Sequence, residues 1–199
     1  MKKWLIPTIA IIVLGIIIYS TTVGFNNTAI VKQEDARETW SNVESSYQRR
    51  NDLIGNLVNT VKGAADFERG TLTDVIEARS KATQVTVDPT NITPEQMAQF
   101  QQAQGGVSSA LSRLLVTVER YPELKANQNF LQLQSQLEGT ENRINVARDR
   151  YNAAVTEFNK YIRQFPNTIF AGWFGFEQMV RYEADEGSED APDVEFDFK

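Results

Sequence analysis

The chain reads as all-α: an N-terminal transmembrane helix followed by an antiparallel bundle of about four long helices. Three observations predict this. An apolar run opens the chain, apolar side chains then recur at alternating spacings of three and four, and no segment alternates with period two for long enough to make a sheet.

After Met1-Lys2-Lys3 no charge appears until Lys32, and Leu5 to Tyr19 is almost wholly aliphatic. A bilayer core of about 30 Å needs roughly 20 apolar helical residues, so Leu5 to Val23 is long enough to cross. Pro7 falls in the first turns, where its missing backbone donor costs little. Trp4 and Tyr19 bracket the stretch, at depths that suit aromatic rings. A cleaved signal peptide has the same basic start and apolar core, but the exit Tyr19-Ser20-Thr21-Thr22-Val23-Gly24-Phe25 has no Ala-x-Ala, which favours an uncleaved anchor. Lys2 and Lys3 lie close to the span, whereas Lys32 and Arg37 are more distant and mixed with Glu34 and Asp35. This bias predicts a single pass with the amino terminus inside and the bundle outside the cytoplasm, and an apolar helix is the form expected in a bacterial cytoplasmic (inner) membrane.

Beyond the span, Trp40, Val43, Tyr47, Arg50, Ile54, Leu57, Val61 and Ala64 form a coiled-coil type stripe on a helix from about Asn27 to Phe67. No strong breaker separates this helix from the span, so one rod is allowed. Gly63 and Gly70 loosen its end. A second helix is predicted from about Thr71 to Val85, with Leu72, Val75, Ile76, Arg79 and Ala82 on one side. Asp88-Pro89-Thr90-Asn91 reads as a loop. Thr93-Pro94-Glu95-Gln96 is a helix start, with a capping hydroxyl, proline at the first position and Gln96 closing a capping box. Met97, Phe100, Gln104, Val107, Leu111, Leu114, Val118 and Tyr121 then form the third stripe, which Pro122 stops. The fourth helix, about Leu124 to Gln164, carries Phe130, Leu133, Leu137, Thr140, Ile144, Ala147, Tyr151, Ala154, Phe158 and Ile162.

Composition excludes much chemistry. The chain has no cysteine and no histidine, which removes thiol catalysis, disulfides, thiolate and imidazole metal sites and the usual general base. No phosphate-binding glycine motif occurs, and no cofactor is expected. The net charge of −6 is uneven: Glu183 to Lys199 carries −7 and the rest +1. A near-neutral body gives no basic footprint for nucleic acid. The acidic end, with Gly187-Ser188 and Pro192, reads as a disordered tail; it serves as a solvating end or as a docking tail for a basic partner.

Two constellations stand out. Arg50 lies within an apolar stripe, where an unpaired guanidinium is costly; Glu141, beside the fourth stripe, is the expected buried partner, the alternative being that Arg50 snorkels outward on its long stem. The segment Phe165-Pro166-Asn167-Thr168-Ile169-Phe170-Ala171-Gly172-Trp173-Phe174-Gly175-Phe176 either plugs the end of the bundle or presents an apolar patch. In the second case Phe170, Trp173, Phe174 and Phe176 touch a membrane or another protein, since an up-down-up-down bundle ends its fourth helix near the bilayer.

Arg49-Arg50-Asn51-Asp52-Leu53-Ile54-Gly55-Asn56-Leu57-Val58, Val61-Lys62-Gly63 and Ala78-Arg79 resemble the first half of the LemA family. Tyr121-Pro122-Glu123-Leu124-Lys125-Ala126-Asn127, Thr140-Glu141-Asn142-Arg143-Ile144, Ala147-Arg148, Tyr151-Asn152 and Phe158-Asn159 resemble the second, and Phe165-Pro166 with Phe174-Gly175-Phe176 its closing segment. The similarity covers about residues 25 to 180. It implies a single-span bacterial membrane protein with a helical-bundle domain and no established enzymatic activity. Where many members have proline this chain has Gly55, and where many have a His-Glu pair it has Phe67-Glu68.

The expected organisation is a cytoplasmic start and span over 1–25, a bundle over 26–165, an aromatic closing segment over 166–182 and an acidic tail over 183–199. The expected function is non-enzymatic: a scaffold or adaptor for envelope protein complexes, with the bilayer, unknown membrane or envelope proteins and a second copy as candidate partners. Two rivals are a lipid- or small-ligand-binding bundle, which needs a gap in the core, and an enzyme using Glu141 or Glu44. Absence of native cysteine makes topology directly measurable. A Ser188→Cys chain is expected to react with a membrane-impermeant maleimide in intact spheroplasts; labelling only after lysis reverses the orientation.

Overall fold

A computed structural model describes residues 2–63, 67–89 and 91–182, and the acidic tail lies outside these. The span and the first bundle helix are one helix, α1 (Lys2–Lys62), because no proline interrupts the ladder after Pro7. Its 61 residues extend roughly 90 Å at about 1.5 Å each. Trp4 to Thr21 are exposed, and the helix contains an apolar window fit to cross a membrane. Within it Thr8 Oγ1 donates to the Trp4 carbonyl at 2.7 Å and Ser20 Oγ to that of Ile16 at 2.8 Å, so these hydroxyls need no water. Burial begins at Phe25 and Ala29, then continues through Ala36, Trp40, Val43, Tyr47, Arg50, Ile54, Leu57 and Val61. The stripe therefore starts below the residues that predict it.

The remaining elements are α2 (Arg69–Gln84), α3 (Pro94–Val118), α4 (Pro122–Lys125), α5 (Gln128–Arg163) and α6 (Asn167–Phe174), with no strand among the described residues. Several boundaries differ from expectation. The first helix stops at Lys62 rather than Phe67, and Phe67 instead packs against Tyr121 with ring centroids 4.8 Å apart. The predicted capping box at Thr93 forms on both sides, Gln96 N reaching Thr93 Oγ1 at 3.2 Å and Thr93 N reaching Gln96 Oε1 at 3.1 Å. The long fourth helix starts at Gln128 rather than Leu124. Pro122 opens a separate single turn, and Asn127 Oδ1 then caps α5 by accepting from Asn129 N at 2.9 Å and Phe130 N at 3.2 Å. Past Tyr151 the buried position is Val155 rather than Ala154, a one-residue drift expected of a helix with 3.6 residues per turn. The aromatic segment is helical, and Gly175 ends it at φ 72°, a left-handed conformation suited to glycine.

α1 packs along α5 and α2 along α3, giving an antiparallel bundle with three core clusters stacked along it. Ile54, Leu57, Leu114 and Phe130 mark the distal cluster, Trp40, Phe100 and Tyr151 the middle one, and Phe25, Phe158, Ile162 and Ala171 the one nearest the span. With 16 and 25 residues, α2 and α3 are shorter than α5 with 36, so near the span α1 and α5 form a two-helix stalk.

The stalk is covered by α6 and by a strap of residues 176–182 running back along α5. Two asparagines hold it. Asn159 donates to the Met179 carbonyl at 2.8 Å and accepts from its N–H at 2.9 Å; Asn152 does the same for Tyr182 at 2.9 and 2.8 Å. Seven helical residues rise about 10.5 Å and three extended residues advance about 10 Å, so the two asparagines match every third strap residue. Between them Tyr151 Oη donates to the Val180 carbonyl at 2.7 Å. An Asn152→Ala chain loses two bonds worth about 1 kcal/mol each. Exchange of the Tyr182 amide, measured by hydrogen–deuterium exchange, is expected to accelerate roughly ten- to thirtyfold, with a smaller change at Met179.

Candidate functional site

Two places concentrate unusual side chains: the polar centre of the bundle and its span-proximal end. At the centre, α1 carries Arg50 inward, where it is 1% exposed. Its Nη1 donates to Glu141 Oε1 at 3.0 Å and to Ser108 Oγ at 3.1 Å; Nη2 donates to the Gln104 carbonyl at 3.3 Å and to its side-chain oxygen. The guanidinium carbon lies 4.8 Å from the Tyr47 ring centroid. One cation thereby ties α1, α3 and α5 together. Arg50 does not snorkel outward, and Glu141 reaches it from a position where its side chain is 42% exposed.

Tyr47 Oη lies 2.8 Å from Tyr182 Oη, and the Arg148 guanidinium covers the Tyr182 ring at 3.9 Å. The strap is thus linked to the polar centre. Burial raises the Tyr47 hydroxyl above its ordinary pKa, opposed by the bond to Tyr182, and burial raises Tyr151 as well. Both phenols stay neutral and act as hydrogen-bonding groups. Burial also raises the Glu44 carboxyl. Glu141, the other carboxylate considered for chemistry, is engaged by Arg50.

At the other end the four aromatic candidates separate into two kinds. Phe170 and Phe176 pack against the cluster around Phe25, with centroids 5.6 and 5.9 Å from its ring. Phe174 also approaches Phe25, at 6.3 Å, yet is 46% exposed, and Trp173 is 72% exposed. The segment therefore both closes the stalk and presents apolar surface. Phe165, at 82%, and Ile169, at 45%, add to the exposed set and were not among the candidates.

Two open grooves of about 580 Å³ each run along the outside. One, between α1 and α5, is lined by Ser45, Arg49, Asn142, Arg143 and Arg150; the other, between α2 and α3, by Asp74, Lys81, Gln99, Gln102 and Arg113. Glutamines of α3 thus take different places: Gln99 and Gln102 face a groove, while Gln104 is buried on Arg50.

Sequence reasoning missed Gln104 and Ser108 as partners of Arg50, although Gln104 sits as a polar residue on an apolar stripe. It missed the asparagine clasp too. Its signal was the heptad repetition of Tyr151-Asn152 and Phe158-Asn159.

Glu141→Gln, which weakens a half-exposed contact to a buried cation, is expected to cost about 1 to 2 kcal/mol. Arg50→Ala, which strands Gln104 and Glu141 and removes the packed stem, is expected to cost about 3 to 5 kcal/mol. In a denaturation double-mutant cycle, Arg50→Met should recover part of the Glu141→Gln loss; additive effects reject the coupling.

The model of the LemA family matches residues 39–196, which begin beyond the span and include the bundle, α6 and the strap. The chain is 28% identical to the magnetosome protein MamQ of Magnetospirillum gryphiswaldense, covering 92% of this chain and 74% of that protein. It is 27% identical to magnetosome protein MamQ 1 of Paramagnetospirillum magneticum, where the match covers 79% of this chain but only 64%, under two thirds, of that relative. Protein LemA of Metamycoplasma hominis is 25% identical, over 93% of this chain and 80% of its own. With an exposed apolar span at one end and the matched bundle beyond it, the chain is membrane-associated and belongs to the LemA family.

Proposed function

We propose that this protein is a non-enzymatic scaffold or adaptor, holding envelope proteins at a set height above the cytoplasmic membrane, with its bundle outside the cytoplasm. The observation that carries the proposal is α1, one uninterrupted helix from lipid span to bundle top. A partner seated on the bundle is then fixed relative to the bilayer by helix geometry rather than by a linker. The interior supports the same reading: Trp40, Ile54, Leu57, Leu114, Tyr151 and Phe158 are each under 2% exposed and fill the space that an internal ligand requires. The outer grooves, one carrying three arginines and the other mixed in charge, suit a partner helix or a second copy.

A photo-reactive residue at Gln102 in the α2–α3 groove, and another at Asn142 in the α1–α5 groove, test this in intact membranes. At least one position is expected to give discrete adducts of constant stoichiometry, either with envelope proteins or as a dimer. Thr73, exposed outside both grooves, is expected to give none. A monomer without adducts from either groove overturns the scaffold reading.

A further inference from the structure

α6 offers two faces of opposite character. Its inner face, Phe170 and Ala171, joins Phe25, Phe158 and Ile162 in the stalk cluster. Its outer face shows Ile169 at 45%, Trp173 at 72% and Phe174 at 46% exposure, and Phe165 at 82% immediately precedes it. The buried cluster already satisfies the need to close the bundle, so the outer rings are left over. Large apolar groups gathered on one surface mark a contact.

Position identifies the occupant. Phe25 is the first buried residue after the exposed apolar stretch of α1, and α6 packs directly on its ring. A span that runs from Leu5 to Val23 ends within two residues of Phe25, so α6 lies at the level of the headgroups. Phe174, half exposed, lies 6.3 Å from the Phe25 ring, beside the end of that stretch. Tryptophan and phenylalanine are the side chains that favour this depth. Lys160 and Arg163, in the last turn of α5, stand at the same level and suit lipid phosphates.

We propose that α6, with Phe165, is an interfacial helix seated in the same bilayer that α1 crosses. The chain then holds the membrane at two points, one transmembrane and one in the interface. Two points fix the tilt of the bundle as well as its height.

The full-length chain has three tryptophans, Trp4, Trp40 and Trp173. A Trp4→Phe chain in phosphatidylcholine vesicles with brominated acyl chains tests the proposal. Its emission is expected to fall relative to plain vesicles, and the fall is expected to vanish in a Trp4→Phe, Trp173→Phe chain. Trp40 serves as the internal reference, because it is fully buried and stands roughly 22 Å along α1 from Phe25. Equal emission of the Trp4→Phe chain in brominated and plain vesicles overturns the proposal. So does a blue-shifted but unquenched Trp173, which identifies a protein partner on α6 instead. A polarity-sensitive dye on Trp173→Cys, in a chain with no other cysteine, gives an independent reading: it is expected to be shielded from aqueous iodide in vesicles. Full access to iodide overturns the proposal regardless of the tryptophan result.

Discussion

The unequal lengths of the helices constrain everything else in this fold. α1 carries the exposed apolar stretch and then builds a bundle, and α5 follows it back almost to Phe25, whereas α2 and α3 stop near the level of Trp40. Two helices alone cannot bury both sides of their contact. The stretch from Phe25 to Ala36 therefore needs other cover, and α6 and the strap supply it. Without that mismatch neither closing element has a surface to occupy.

The helical architecture was legible because it rests on periodicity. Three-four spacing on α1, α3 and α5 identified the central line of buried side chains but not the flanking Leu53, Val58, Ala110 and Thr117 or the span-proximal Phe25, Ala29 and Ala36, and the capping residues around Thr93 and Gln96 placed the start of α3. Such signals are local and repeat several times. The single turn at Pro122 and the later start at Gln128 were less legible, since proline permits either a stop or a fresh start. The strap was not legible. Residues 176–182 have no period of their own, and their position depends on side-chain amides of a helix about twenty to thirty residues away. The aromatic segment was partly legible: its composition indicated burial or exposed apolar surface, but only three dimensions could assign Phe170 and Phe176 to the first and Trp173 to the second.

Arg50 gives the bundle alignment more than stability. Desolvating a guanidinium offsets most of what its bonds return, and a well-packed apolar residue is often as stable. Its contacts, however, come from Gln104 and Ser108 on α3 and Glu141 on α5. Sliding α1 by one turn, about 5.4 Å, takes the cation away from all of these partners, and sliding α3 or α5 alone takes away part of the set. Apolar stripes of repeated aliphatic residues tolerate such slips far better. The buried cation therefore selects one vertical register among several that hydrophobic packing alone permits.

The asparagine clasp also determines where the acidic end of the chain begins. Tyr182 is held beside Asn152, nine residues up α5 from Tyr161, which stacks on Phe25 at the head of the span. At about 1.5 Å per residue Tyr182, the last residue of the strap, stands about 14 Å above that level. The Debye length at physiological ionic strength is about 8 Å. The clasp thus holds the end of the strap more than one Debye length from Phe25, where the exposed apolar stretch of α1 ends. Two residues of one short strap, Phe176 on the Phe25 ring and Tyr182 on Asn152, therefore sit in electrostatically separate surroundings.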